Sequence, residues 1–311
     1  MIGRRIAVVG SSNIDFIMKM ERLPAVGETI TDAQFVQTFG GKGANQAVAV
    51  GRAGGDCVFI NAVGDDPYAE TMLSGMEETG VDTRHVLRET GVWSGTALVM
   101  IGDGGNNYLS VAPGANYRLT VKEMEKLAHV LDDAELILLQ YEIPEETIAW
   151  IIDYAVDRRL RTIWNFAPAR RFRSGYVEKV DFLIVNESEA SHLTGLPVDT
   201  PEEAQAAADA LRSRGCPRVV ITLGEEGSFV LTRDEEILVP AFSVDAVDTT
   251  AAGDVYCGAF AVALAEGKSL GSAARFAAAA SALSVTRLGA QPSAPSRSEI
   301  DRFLENHQGD S

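Results

Sequence analysis

Residues 136–166, LILLQYEIPEETIAWIIDYAVDRRLRTIWNF, decide the fold class. The segment opens on an apolar run, Leu136 to Tyr141, that reads as a strand. A helix is expected over 145–159, followed by a second strand from Arg161 to Phe166. Two strands joined by a helix of that length lie parallel, with the helix covering one face of the sheet. The same alternation extends outward. Upstream, a helix is expected over 120–131. Downstream, Phe182 to Val185 is a strand running into a short helix, and a helix over 201–214 precedes a strand from Arg218 to Leu223. Nearer the N-terminus, Ile6 to Val9 is an apolar strand ended by Gly10. Ala44 to Ala53 reads as a small-residue helix ending at Gly54-Gly55, and Cys57 to Val63 as another strand. A helix from Pro67 to about Thr79 is stopped by Gly80. Short strands with turns are expected over 224–240. The end is helical, over about 251–265, 269–285 and 297–306.

These segments describe an α/β protein: a three-layer, Rossmann-like core with a mostly parallel central sheet. Two stretches break the pattern. Residues 13–39 mix single apolar residues with Pro24, Gly27 and several Thr and Gln, which suits short exposed strands. Residues 95–101 and 108–112 read as strands joined by Gly102-Asp103-Gly104-Gly105-Asn106-Asn107, a hairpin signal. The sequence therefore predicts one domain, 1–311, carrying a small β-sheet lid built from about 13–39 and 93–112.

Composition narrows the function. With 27 basic against 44 acidic residues, the formal net charge is -17, which disfavours nucleic acid and anionic membrane as partners. An anionic substrate would need local devices, such as a metal ion, backbone N–H groups or a helix N-terminus. Cys57, Cys216 and Cys257 are odd in number and far apart, with no metal-ligand spacing, so a reducing, cytoplasmic setting is expected. His85, His129, His192 and His307 are scattered, against a zinc cluster or a histidine-based triad. The N-terminus lacks the apolar region of a signal peptide, and the longest apolar run is too short for a bilayer.

Ligands of open parallel sheets bind at the carboxyl ends of the strands, so the polar residues there are the first candidates. Asn13 and Asp15 follow the first strand, Glu142 the 136–141 strand, Asn186 and Glu189 the 182–185 strand, and Gly224 and Gly227 the 218–223 strand. Gly40-Gly41-Lys42-Gly43-Ala44-Asn45 opens a helix. Its glycines admit close backbone approach to a ligand, with Lys42 and Asn45 as donors, or it is a flexible connector with a helix cap. It is not a Walker A loop, since no Ser or Thr follows the Lys. In Asp248-Thr249-Thr250-Ala251-Ala252-Gly253-Asp254, small residues meet an apolar helix. The free N–H groups of that first turn can cradle an anion beside Asp254, or Asp254 simply complements the helix dipole. Asn186-Glu187-Ser188-Glu189 fits a capping box. Together with Glu142, its acids would also suit a hydrated Mg²⁺. Thr222-Leu223-Gly224-Glu225-Glu226-Gly227 either admits a nucleotide or is a turn.

Taken in order along nearly the whole chain, these motifs resemble the ribokinase family of sugar kinases. One signature is Gly40-Gly41-Lys42-Gly43-Ala44-Asn45-Gln46-Ala47 and another is Asp248 to Asp254. Between them lie Asn165-Phe166-Ala167-Pro168-Ala169, Asn186 to Glu189 and Thr222-Leu223-Gly224, and the tail Val285-Thr286-Arg287-Leu288-Gly289-Ala290-Gln291-Pro292-Ser293 follows. The resemblance implies a ribokinase-like fold and ATP-dependent transfer to the primary hydroxyl of a pentose, D-ribose first. It implies Asp254 as general base and the N–H groups of Ala251, Ala252 and Gly253 as an anion hole. It implies sugar-holding groups at Asn13, Asp15, Gly41, Lys42, Asn45 and Glu142. The nucleotide set would be Asn186, Thr222, Leu223, Gly224, Glu225, Glu226, Gly227 and Gly253. Mg²⁺ would lie at Asn186 and Glu189, and an activating K⁺ at Asp248, Thr250, Ser284, Arg287, Gly289 and Ser293. It also implies a homodimer formed through the lid. The chain departs from the family at Tyr256, where Phe is usual, and the lid segments match less closely than the signatures.

The rivals are the same chemistry on deoxyribose, a ketohexose or a nucleoside, and a non-catalytic sugar-binding protein. The intact Gly253-Asp254 weighs against the binding protein, because binding needs no base beside an anion hole. A nicotinamide-dependent dehydrogenase would carry Gly-x-Gly-x-x-Gly after the first strand, where the chain has Gly10-Ser11-Ser12-Asn13-Ile14-Asp15.

Overall fold

In the strand Arg5–Val9 (β1), Ile6 and Val8 join one buried apolar cluster while Ala7 and Val9 join another. That period of two places β1 inside a sheet covered on both faces. The computed structural model describes residues 4–103, 106–173 and 175–307. After β1 come β2 (Asn13–Met20), β3 (Gln34–Gly40), α1 (Lys42–Arg52), β4 (Asp56–Ile60), β5 (Ala62–Gly64), α2 (Ala69–Glu77), β6 (Val81–Asp82), β7 (Leu87–Glu89), β8 (Gly95–Gly102) and β9 (Asn107–Ala112). The regular half follows: α3 (Val121–Asp132), β10 (Leu136–Leu139), α4 (Glu145–Arg158), β11 (Arg161–Asn165), β12 (Phe182–Asn186), α5 (Glu187–Thr194), α6 (Pro201–Ser213) and β13 (Val219–Thr222). The chain closes with β14 (Ser228–Leu231), β15 (Glu236–Val239), α7 (Ala252–Ala265), α8 (Leu270–Val285) and α9 (Arg297–Asn306).

The core sheet has nine strands in the order β15-β14-β13-β12-β11-β10-β1-β4-β6. It is parallel from β13 to β6, and β14 and β15 add an antiparallel edge. One apolar layer is built from α1, α2, α7, α8 and α9, the other from α3, α4, α5 and α6. This is the expected three-layer α/β architecture. A separate sheet, β3-β2-β8-β9, is formed by the two stretches that broke the alternation. It leaves Phe35, Val36, Leu98, Tyr108, Leu109 and Val111 exposed. In the β8–β9 hairpin the Gly102 N–H donates to the Asn106 carbonyl at 3.0 Å, and Gly104 and Gly105 lie outside the described residues.

One expected strand is two. The run Cys57 to Val63 divides at Asn61, and β5 leaves the core sheet to pair with β7. Asn61 is fully buried, and its side chain turns inward to the Gly10 carbonyl, Asn116 and Ser12. A buried amide satisfied by loop groups ends the ladder there. The short strands β6 and β7 were also not foreseen, because two or three residues carry too little periodicity to read.

Candidate active site

At the carboxyl edge of the parallel sheet, polar residues succeed apolar strands. Gly10, Ser11 and Ser12 follow β1, Gln140 and Glu142 follow β10, and β11, β12 and β13 end on Asn165, Asn186 and Thr222. The start of α1 packs directly onto this edge. Gly41 has φ +89, and a Cβ there would lie 2.7 Å from Ser12 Cα; one at Gly43 would lie 2.5 Å from the Ser11 nitrogen. The close approach expected toward a ligand is thus also an approach to the chain's own backbone, which only glycine permits. It turns the first turn of α1 toward the edge of the sheet.

Asp254 lies in the first turn of α7 and is 6% exposed. Its Oδ2 accepts from Asn45 Nδ2 and its Oδ1 from Gln46 Nε2, both at 2.9 Å. Gln46 also donates to Asn165 Oδ1 at 3.0 Å and accepts from Gln140 Nε2 at 2.6 Å. Beside Asp254, Ala251 caps α7 in the left-handed region at φ 61, and Gly253 is exposed with open space where a side chain would be. The Ala252 N–H donates to the Thr249 carbonyl at 3.2 Å; the other first-turn N–H groups have no intrahelical acceptor and can receive an anion.

A second polar group surrounds Glu142. Its Oε2 accepts from the Lys42 backbone N–H at 3.0 Å and from the Ser11 hydroxyl. Burial opposes the charge of Lys42, but Asp254, Glu142 and Glu189 together hold its ammonium above the ordinary lysine range. Asp15 is pushed up to about 7, first by burial and then by the Glu142 charge. Its Oδ1 and Asn45 Oδ1 are buried and accept no hydrogen bond among the described residues. Asn13 is 4% exposed, and its Oδ1 accepts from Asn116 Nδ2 at 2.9 Å. Asn116 Oδ1 accepts from the Ser12 N–H and from Asn61 Nδ2, both at 3.0 Å.

The remaining predicted positions divide. Asn186 and Glu189 form the capping box of α5, Oδ1 accepting from the Glu189 N–H at 2.8 Å and Oε2 from the Asn186 N–H at 2.9 Å. Burial pushes the Glu189 carboxyl above its usual range, against the Asn186 N–H and the Lys42 charge. Glu142 is committed to Ser11 and Lys42, and no group of three His, Cys, Asp or Glu side chains is placed to hold a metal ion among the described residues. The expected gathering of Glu142 with Glu187 and Glu189 is therefore not formed. Thr222 to Gly227 is the tight connection from β13 to β14, closed by the Leu223 N–H on the Gly227 carbonyl at 2.8 Å. Glu187 Oε1 lies 3.6 Å from the Cβ position of Gly224, so this turn borders the start of α5.

Asp248 ties two loops together. Its Oδ1 accepts from the Thr250 N–H at 2.9 Å and hydroxyl at 2.6 Å, and its Oδ2 from the Gly289 N–H at 2.8 Å. Burial works against this carboxylate, but those bonds hold its pKa below the usual range. The Ser284 and Ser293 hydroxyls donate to the Ser281 and Ala290 carbonyls, and Arg287 pairs with Glu299 at 2.6 Å.

Sequence reading missed the supporting side chains of Ser11, Asn61, Asn116, Gln140 and Gln46. Asn61 gave a signal, a lone amide inside an apolar run, and Gln140 another, a polar residue just past a strand. Asn116 gave none, because its role depends on a loop folding back to Ser12.

Residues 4–297 match the pfkB family of carbohydrate kinases. The chain is 38% identical over 301 residues to the ribokinase of Bacillus subtilis, covering 97% of this chain and 99% of that one. It is 36% identical over 300 residues to the deoxyribokinase of Salmonella typhi, covering 96% and 98%. Among solved structures, the ribokinase of Arabidopsis thaliana complexed with ribose and ATP is similar at a TM-score of 0.90 and 32% identity, covering 97% and 99%.

Proposed function

The chain belongs to the pfkB family of carbohydrate kinases, and on that footing we propose that it moves the γ-phosphoryl group of ATP to the primary hydroxyl of a pentose, D-ribose first, giving ribose 5-phosphate. The observation that carries this reading is Asp254: a buried carboxylate with a donor on each oxygen, in the first turn of a helix whose Gly253 is exposed with open space beside it. Asp254 takes the proton of the sugar hydroxyl. The N–H groups of Ala251, Ala252 and Gly253 bear the charge that develops on the phosphoryl oxygens. Asn13, Asp15, Gly41, Lys42, Asn45 and Glu142 hold the sugar, and their buried polar atoms reject an acceptor with no matching hydroxyl. The nucleotide lies along Asn186 and the 222–227 turn.

Asn186 and Glu189 would help hold Mg²⁺, since the capping box engages only Oε2 of Glu189 and oxygen ligands suit that ion. It would neutralise phosphate charge. K⁺ fits the carbonyls around Asp248. The small sheet serves as a lid that excludes water from the transfer, and its exposed apolar face pairs with that of a second copy. Among the described residues no helix is long and apolar enough to cross a membrane, and three free, buried cysteines suit a reducing cytoplasm.

The 36% identity to a deoxyribokinase supports a second acceptor, 2-deoxy-D-ribose. Release of ADP from Mg-ATP with K⁺, measured over pentoses, ketohexoses and nucleosides, separates the two. Turnover on ribose alone establishes the first reading and preference for the deoxy sugar the second. Folded, ATP-binding protein that turns over no acceptor removes both.

A further inference from the structure

Gln46 is fully buried and stands at the centre of the polar net behind Asp254. The direction of its amide is dictated by Asn165 and Asp254. Asn165 Nδ2 donates to the Ile184 carbonyl at 3.2 Å, so Asn165 Oδ1 faces Gln46 and needs a donor. An ionised Asp254 can only accept. Turning the Gln46 amide over would set its oxygen against two acceptors and its NH₂ against the Gln140 NH₂. With no exposed surface, Gln46 cannot reach a substrate itself. Asn45, the other donor to Asp254, differs: its Oδ1 accepts nothing among the described residues, so it can accept a hydrogen bond from a ligand.

We propose that Gln46 is the positioning residue of the phosphoryl transfer. Its Nε2–H fixes the Asp254 carboxylate in one orientation, and Asn165 locks Gln46 in turn. This rests on the reading of Asp254 as base. A buried carboxylate oxygen is costly to leave without its donor, and a carboxylate that swings away loses alignment with the hydroxyl.

The test is a double-mutant cycle on the full chain with steady-state kinetics. Gln46→Leu removes the donor. Gln46→Met keeps the length of the side chain and adds no charge while removing the N–H, and it serves if the leucine variant does not fold. In the parent background, either variant is expected to lower kcat at least tenfold, with KM for sugar and ATP within about threefold. In the Asp254→Asn background the same change is expected to cost less than twofold, because its only route to the reaction has gone. An equal loss in both backgrounds, or a rise in KM at unchanged kcat, overturns the proposal. Near-parental turnover of Asp254→Asn alone overturns the reading of Asp254 instead.

Discussion

Asp254 is buried at the carboxyl edge of the core sheet and Asp15 is half-buried in the lid strand β2, and the protein treats them oppositely. Asp254 receives an amide hydrogen bond on each oxygen. Asp15 receives none on its buried Oδ1, faces Glu142, and is pushed up to about 7. Lys42 feels Asp254 and Glu142 together. Donors already in place require no reorganisation when charge moves, which suits a base. A carboxylate short of donors suits recognition, because hydroxyls of the right sugar supply what the fold withholds. The proposed function gives the same residue type chemistry in one place and selection in the other.

Asp254→Asn should break the first half of that contrast with the largest effect. kcat is expected to fall by about 10²-fold or more. Stability should drop by about 1–2 kcal/mol, since one of two donors would face an NH₂. Asn45 can turn its amide to adapt, whereas Gln46 is locked by Gln140 and Asn165. Steady-state kinetics and urea denaturation check the pair, and near-normal turnover would take the base role from Asp254. Asp15→Asn tests the other half. KM for the sugar should rise about 10- to 100-fold, with kcat within about fivefold, as for loss of a hydrogen bond to a charged group. A fall in kcat at constant KM would show that Asp15 does chemistry and that the contrast is wrong.

A pH series sharpens the same point. With Asp15 near 7, its ionised fraction rises from about a tenth at pH 6 to about nine tenths at pH 8, so KM for the sugar should fall about tenfold across that range. Lys42, Glu142 and Glu189 face the same region, and the Asp15→Asn control separates their titration from that of Asp15. In that variant the profile should flatten.

Much of this was legible beforehand, for a local reason. The core strands are apolar runs separated by helices of ordinary length, so the order of Leu136–Leu139, Arg161–Asn165 and Val219–Thr222 follows from short windows. The glycine-rich start of α1 and the Ala-Ala-Gly-Asp start of α7 are equally local. The contrast between the two carboxylates is not, because it depends on which buried atoms meet. Asn45 reaches Asp254 across 209 positions and Gln46 reaches Asn165 across 119. No window contains both partners. Asn61 shows the same limit: its run was read as one strand because the pull toward Gly10, Ser12 and Asn116 is tertiary. Gly41 and Gly43 stood out in sequence, but the groups they approach did not.

A further expected effect concerns stability without substrate. Asp15 in the folded chain holds its proton up to about 7, whereas in the unfolded chain it releases it near 4. Between those values the folded state binds more protons than the unfolded state, so this group makes stability fall as pH rises from about 4 to about 7, and it levels off above. Glu189, raised for the same reason of burial, adds to the trend in parent and variant alike. Asp15→Asn stays neutral throughout and escapes only its own share. Urea midpoints of the two proteins, taken at pH 5 and pH 8, should therefore separate further at pH 8, in favour of the variant. Because the variant is the one expected to bind sugar worse, a gain in stability with a loss of affinity would show that the fold bears the cost of an unsatisfied carboxylate for the sake of its ligand. Parallel curves would mean that Asp15 is already satisfied in the free protein, and the difference between the two carboxylates would then lie in the sugar contacts alone.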